Sequence, residues 1–163
     1  MRNQNNKIII AAAILIAILL VISYYIQNQP AKTPSAFELN NKTYQITAVA
    51  STISQQEKGL MNTNVTNTTF MLFSFGQSGI YPFWMKDTYS QLDIIWINYN
   101  ATTGIGNVVY SVNATPCVTY DKDQNDCNIF TPPALANYVL ETKDGFVQSN
   151  KIVPGTQIHL IYN

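Results

Sequence analysis

Polarity divides the chain into two unequal parts. Ile8 to Ile26 reads IIIAAAILIAILLVISYYI, nineteen residues without a charge. As a helix such a run spans about 28 Å, close to the roughly 30 Å hydrocarbon core of a bilayer. Tyr24 and Tyr25 stand at its far end, where an aromatic belt forms. Arg2 and Lys7 precede the run, and only Lys32 follows closely. The positive-inside rule therefore puts residues 1–7 in the cytoplasm and the rest of the chain outside. A cleaved signal peptide is the competing reading. Its apolar region is about 7–15 residues long and ends in small residues, whereas Gln27, Asn28, Gln29 and Pro30 follow here. Either way the remainder is exported. The expected organisation is a cytoplasmic N-terminus (1–7), a transmembrane helix (8–26), an extended tether (27–36) and an extracytoplasmic domain (37–163) at the cell membrane.

Beyond the tether the pattern shortens to strand-sized segments. Lys42 to Ser51 alternates in part. Phe70 to Phe75 (FMLFSF) and Asp93 to Tyr99 (DIIWINY) are short, apolar and aromatic, as expected of buried strands. Asn107 to Val112, Asn137 to Thr142 and Gln157 to Tyr162 bring the total to about six. Gly76, Gly79, Pro82, Gly104, Gly106, Pro132, Pro133, Gly145 and Pro154 punctuate them. Ser54 followed by Glu57 forms a capping box that predicts one or two helical turns to about Leu60 or Met61. A second short helix is expected near Gly145 to Asn150. Many short strands with one or two short helices predict a mainly β domain, a sandwich or a partly closed barrel, preceded by the transmembrane helix.

Charge narrows the partners. Nine basic and nine acidic residues give a net charge of zero. Removing Arg2 and Lys7 leaves seven basic and nine acidic residues, a net −2 for the rest of the chain. No basic stripe exists to hold a phosphate backbone, so no nucleic acid partner is expected. Only 11% of residues are charged, against roughly 25% in ordinary soluble domains. Asn, Gln, Thr, Ser and Tyr supply the polarity instead, which suits an acidic or glycan-covered exterior.

Two further features fit export. Cys117 and Cys127 flank the polar stretch VTYDKDQND, a surface loop that a disulfide would close. Cysteines ten apart match no zinc spacing, and only His159 could assist them. No metal or cofactor is called for. Sequons begin at Asn41, Asn64, Asn67, Asn100 and Asn113, the last made a poorer acceptor by Pro116.

The blocks Gly59-Leu60-Met61, Met71 to Phe75, Phe83-Trp84-Met85-Lys86-Asp87-Thr88, Leu92-Asp93-Ile94-Ile95 and Tyr138-Val139-Leu140-Glu141 with Gly145 occur in this order. Together they resemble the family known as domain of unknown function 192, over nearly all of residues 42–162. Three positions depart from that pattern. Gln55-Gln56-Glu57-Lys58 lacks the usual arginine, Asp87 stands where Asn is common, and Gly155-Thr156 replaces a Gly-Asp pair. The resemblance implies a compact, mainly β domain, often exported or anchored, and no particular activity.

Candidate chemistry concentrates in FWMKDTYSQLDIIWI. Trp84, Lys86, Asp87 and Asp93 form a charged trio beside an aromatic wall, able to hold a polar ligand or to fasten a loop. Glu141 is a lone acid at the end of an apolar strand. Paired with Asp93 it would make a hydrolase dyad, if the two faced each other. His159 alternates with Ile158 and Leu160, which predicts a solvated strand histidine rather than a base. Met61, Met71 and Met85 could hold Cu(I) but sit in apolar settings that suit core packing. No nucleophile motif surrounds any serine. The leading expectation is a non-enzymatic binding or accessory module at the envelope, anchored in the bilayer through 8–26. Its partner would be an envelope protein or polysaccharide. The alternatives are a hydrolase of envelope polymers using Asp93 and Glu141, and a structural envelope component.

Overall fold

A computed structural model describes residues 14–24, 32–118 and 127–162. The chain divides near Thr33 into two units. In the first, residues 14–24 are helical (α1), with aliphatic side chains such as Leu15, Leu19 and Leu20 exposed. Among the described residues no helix is long and apolar enough to cross a membrane. The rest of the expected span, and tether residues 27–31, lie outside the described residues.

The second unit is mainly β. Its strands are β1 (Pro34–Leu39), β2 (Lys42–Gln45), β3 (Ala48–Ala50), β4 (Phe70–Gly79), β5 (Phe83–Trp84), β6 (Leu92–Asn100), β7 (Ile105–Ala114), β8 (Ile129–Phe130), β9 (Ala136–Lys143) and β10 (Gln157–Tyr162). Two short helices accompany them, α2 (Ile53–Lys58) and α3 (Phe146–Ser149). Eight strands join in the order β2-β1-β10-β7-β6-β9-β4-β3, a single sheet curled into a half-barrel, while β5 and β8 pair apart. Of the two expected architectures, the partly closed barrel is therefore the nearer; a sandwich would need two facing sheets.

The middle strands carry continuous apolar runs because both faces of the sheet are covered there. Along β4, Phe70 and Leu72 join one core cluster and Met71 and Phe73 the other. Ile94 and Trp96 of β6 pack with Val139, and Ile95 with Leu140. One cluster is roofed by Leu60, Val65, Met85 and Phe83, the other by α3 and the aromatic edge of β1 and β2. On the second face Phe146 of α3 stands edge-on to Phe70, with ring centroids 5.1 Å apart. Trp96 is fully buried, and its indole N–H donates to the Tyr81 carbonyl at 2.8 Å.

Three boundaries differ from the sequence reading. The tether was expected to reach Ala36, but Pro34–Leu39 is a strand that buries Phe37 and Leu39 against β10. Its continuation into β2 passes through Asn40 and Asn41, both at positive φ (53° and 59°), the conformation of a two-residue hairpin turn. Lys42 to Ser51 is not one strand. It breaks at Ile46 and Thr47, whose N–H groups donate to Ser35 and Phe70 carbonyls, because β2 and β3 occupy opposite edges of the sheet. Helix α2 starts two residues earlier than the Ser54 box implies. Thr52 is the cap, and Gln55 returns the bond at 3.1 Å. The earlier cap leaves Ser54 and Glu57 free to line a surface groove.

Candidate functional site

Trp84 owes its position to strand alternation. In the β5–β8 ribbon Phe83 turns inward, edge-on to Phe73 (4.8 Å) and Trp96 (5.7 Å). Trp84 therefore points out and remains 39% exposed, while Met85 returns to the core. The chain then makes a tight turn over Lys86, Asp87 and Thr88. Lys86 and Thr88 both bridge to Cys117. Cys117 is disulfide-bonded to Cys127, with Cα atoms 5.7 Å apart. Asp87 sits at φ 49°, a left-handed conformation that Asn and Asp tolerate best. Its carbonyl accepts the Asn62 N–H at 2.8 Å, which ties this turn to the segment after α2.

Between the turn and α2 lies an open groove of about 790 Å³. Ser54, Glu57 and Lys58 of α2 form one wall, with Met61, Asn62 and Thr63 beyond it and Trp84 and Lys86 opposite. The Lys86 ammonium stands 5.4 Å from the centre of the Trp84 ring, within cation–π range. Under the groove a small cavity of about 20 Å³ shares Glu57, Lys58, Met61, Trp84 and Lys86 with it. Its deeper lining includes Gly59, Phe73, Thr88 and Glu141.

Glu141 is the most unusual residue of this site. It lies on β9 between Met71 of β4 and Ile94 of β6, and is only 4% exposed. Among the described residues its Oε2 has no hydrogen-bond partner. Burial, which penalises the charged form, pushes the carboxyl up to about 8. Near neutral pH it is mostly a neutral acid, able both to donate and to accept. The chain passes close above it because residue 59 is a glycine at φ 47°. A Cβ there would stand 3.4 Å from the Phe73 ring and 3.7 Å from Glu141 Oε2.

Asp93 belongs elsewhere. It pairs with Thr142, whereas Glu141 pairs with Ile94, so strand alternation puts the two acids on opposite faces of the sheet. Asp93 Oδ1 accepts from Asn113 Nδ2 at 2.9 Å, and Oδ2 accepts the Val147 N–H of α3 at 2.8 Å. It thus caps α3 and holds the β6–β7 pair to it. The expected trio of Lys86, Asp87 and Asp93 is broken up, and the Asp93–Glu141 dyad is excluded by geometry. The structure instead joins Trp84, Lys86 and Glu141, with Asp87 shaping the turn.

The remaining candidates fall where their patterns suggest. His159 is exposed on β10, opposite Glu38 and between buried Ile158 and Leu160. Met71 and Met85 are core residues, while Met61 is half-buried on the groove wall. Among the described residues no group of three or more His, Cys, Asp or Glu could hold a metal ion. Asn41, Asn64, Asn67 and Asn100 are exposed. Asn113 is exposed as well, but its amide nitrogen donates both to Asp93 and, at 2.6 Å, to Asp144. Of the groove residues in 54–63, Asn62 and Thr63 carry no sequence signal, while Ser54 and Glu57 read only as a helix cap, Lys58 as part of a departure from the family pattern, and Met61 as part of a family block and a core methionine. The capping box marks a helix and the Gly59-Leu60-Met61 block a family feature, but neither says what these residues face.

The family model of domain of unknown function 192, described as an uncharacterised ACR, matches residues 36–160. The chain belongs to this family. A solved structure from Sinorhizobium meliloti 1021, described as a candidate transcription regulator, is similar at 26% identity with a TM-score of 0.63. The similarity covers 82% of this chain and 98% of that one. A protein of unknown function from Novosphingobium aromaticivorans DSM 12444 shares the fold at 24% identity and a TM-score of 0.60, over 80% and 89% of the two chains. No curated protein matches the chain. The domain of unknown function 192 blocks separate into two places in the structure. Gly59-Leu60-Met61, Phe83 to Thr88 and Glu141 converge on the groove, whereas Asp93 and Gly145 meet at the α3 cap on the other face.

Proposed function

We propose that this protein is a membrane-anchored, extracytoplasmic binding module of the cell envelope, and that the groove between α2 and the Trp84–Lys86 turn receives its ligand. One observation carries the reading. A half-exposed tryptophan, two lysines, a glutamate and an asparagine surround a groove whose floor holds a buried carboxyl, one oxygen of which has no partner among the described residues. Ligand sites combine an aromatic or apolar wall with a few convergent polar groups, and strongly perturbed acids mark such sites. Among the described residues no hydrogen-bonded nucleophile–base pair accompanies Glu141, which favours binding over catalysis. The net −2 charge of the chain after Lys7 argues against DNA as the ligand.

Placement at the exterior rests on the uncharged run of 8–26, the basic residues before it, and a disulfide of the kind that persists in oxidising compartments. Two measurements test the proposal. Carbonate-washed membranes should retain the full chain, and protease added to intact cells should remove the domain. A photo-crosslinking residue at Thr63 should give a discrete envelope adduct that disappears on Trp84→Ala. A protein found in the soluble fraction, or adducts indifferent to Trp84, would refute placement and site respectively.

A further inference from the structure

We infer that the groove binds a saccharide unit, one ring face lying against Trp84 and one hydroxyl entering the floor cavity to meet the Glu141 carboxyl. This rests on the binding-module reading and names its ligand class. Three observations converge on it.

The first is size. A cavity of about 20 Å³ admits one water-sized group. It opens beneath a groove of about 790 Å³, on the scale of a site for a ring-sized ligand. The second is chemistry at the floor. Oε2 of Glu141 is buried without a partner among the described residues, so a ligand hydroxyl that reaches the carboxyl gains a hydrogen bond that an apolar ligand cannot. A neutral carboxyl presents one donor and spare acceptor capacity, and a hydroxyl is the small group that offers both in return. The charged groups around that carboxyl are Glu57 and Lys58 from α2 and Lys86 from the turn. Its neighbours across β9 are the uncharged Met71 and Ile94. The third is the wall. Trp84 presents a flat apolar surface beside Asn62 and Glu57, and a sugar ring likewise carries an apolar C–H face edged by hydroxyls. Charges of both signs line the groove, so neither a polyanion nor a polycation is selected.

The test uses the full chain in detergent or nanodiscs, with a panel of neutral, amino and acidic tetrasaccharides as probes and polyglutamate as the control without sugar rings. Saturable binding to one or more tetrasaccharides, quenching tryptophan fluorescence, is expected. Trp84→Ala should weaken it at least about tenfold, as should Glu141→Leu, which removes the hydroxyl partner but keeps the floor filled. Glu141→Gln retains a donor and an acceptor and should stay within about threefold of the parent. Circular dichroism of each variant separates lost binding from lost folding. Absence of binding across the saccharide panel overturns the inference, and so does binding indifferent to both Trp84→Ala and Glu141→Leu. If polyglutamate binds through Trp84 while no saccharide does, the ligand class fails and the binding site stands. If the Thr63 crosslink also fails, both fall.

Discussion

Replacing Glu141 by glutamine probes the buried carboxyl through folding stability, independently of any ligand. A carboxyl whose folded value is raised stays protonated in the native state after the unfolded chain has ionised. Between the ordinary value of 4.5 and the raised value of about 8, folding therefore retains a proton that the unfolded state releases. Stability falls as pH rises through that window and levels off above it. Each pH unit in the window costs about 1.4 kcal/mol, so the full interval costs about 5 kcal/mol. That is comparable with the entire stability of many small domains. Glutamine is nearly isosteric and cannot ionise, so it escapes this cost. The full-length parent and Glu141→Gln should differ little near about pH 5, and the variant should be the more stable by about 3–5 kcal/mol near about pH 9. In thermal scans of a domain this size the gap corresponds to about 10 °C or more. Other titrating groups contribute equally to both proteins and cancel in the difference. The assay is urea denaturation across pH, followed by tryptophan fluorescence. Parallel stability–pH curves for the two proteins would refute the reasoning, because the carboxyl would then be hydrated or partnered in solution.

Three further outcomes follow from the same geometry. Asp93→Ala should cost about 1–3 kcal/mol in denaturant midpoint analysis, by orphaning the Val147 N–H and removing one of the two acceptors of the Asn113 amide, yet leave Thr63 crosslinking unchanged because the residue lies on the other face of the sheet. Cys117→Ser with Cys127→Ser should lower stability by about 2–3 kcal/mol and raise protease sensitivity of the Lys86–Thr88 turn, which bridges to Cys117; unchanged proteolysis would show that the turn holds itself. In a glycosylating host, peptide mass spectrometry should find glycan at one or more of the exposed Asn41, Asn64, Asn67 and Asn100 but none at Asn113. The amide nitrogen of Asn113 is already committed to Asp93 and Asp144.

Much of the fold is written locally. The period-two and continuous apolar patterns of β4, β6, β9 and β10 follow from burial on one or both faces of a sheet, and each reads directly from its own residues. Trp84 also reads as outward-facing once Phe83 and Met85 are recognised as apolar anchors on either side. The disulfide follows from two cysteines flanking a polar loop, and His159 from its place between two buried aliphatics. These are short-range consequences of side-chain alternation, so the sequence carries them without help.

What the sequence leaves open depends on which strands become neighbours. Ile46 and Thr47 look like strand interior, and only the sheet order, with β2 and β3 at opposite edges, makes them a crossing. Asp93 and Glu141 are both acids near the ends of apolar strands. A register that sets Asp93 against Thr142 and Ile94 against Glu141 sends one to cap α3 and the other under Gly59. A shift of one residue would put both acids on the same face, because side chains alternate with a period of two. The groove likewise depends on long-range contacts such as the Asn62 N–H to Asp87 carbonyl bond, which set residues 54–63 against 84–88. Residue types supplied the chemistry of the site, but long-range pairing decided which of them meet, since contacts between distant segments leave no periodic trace in either one.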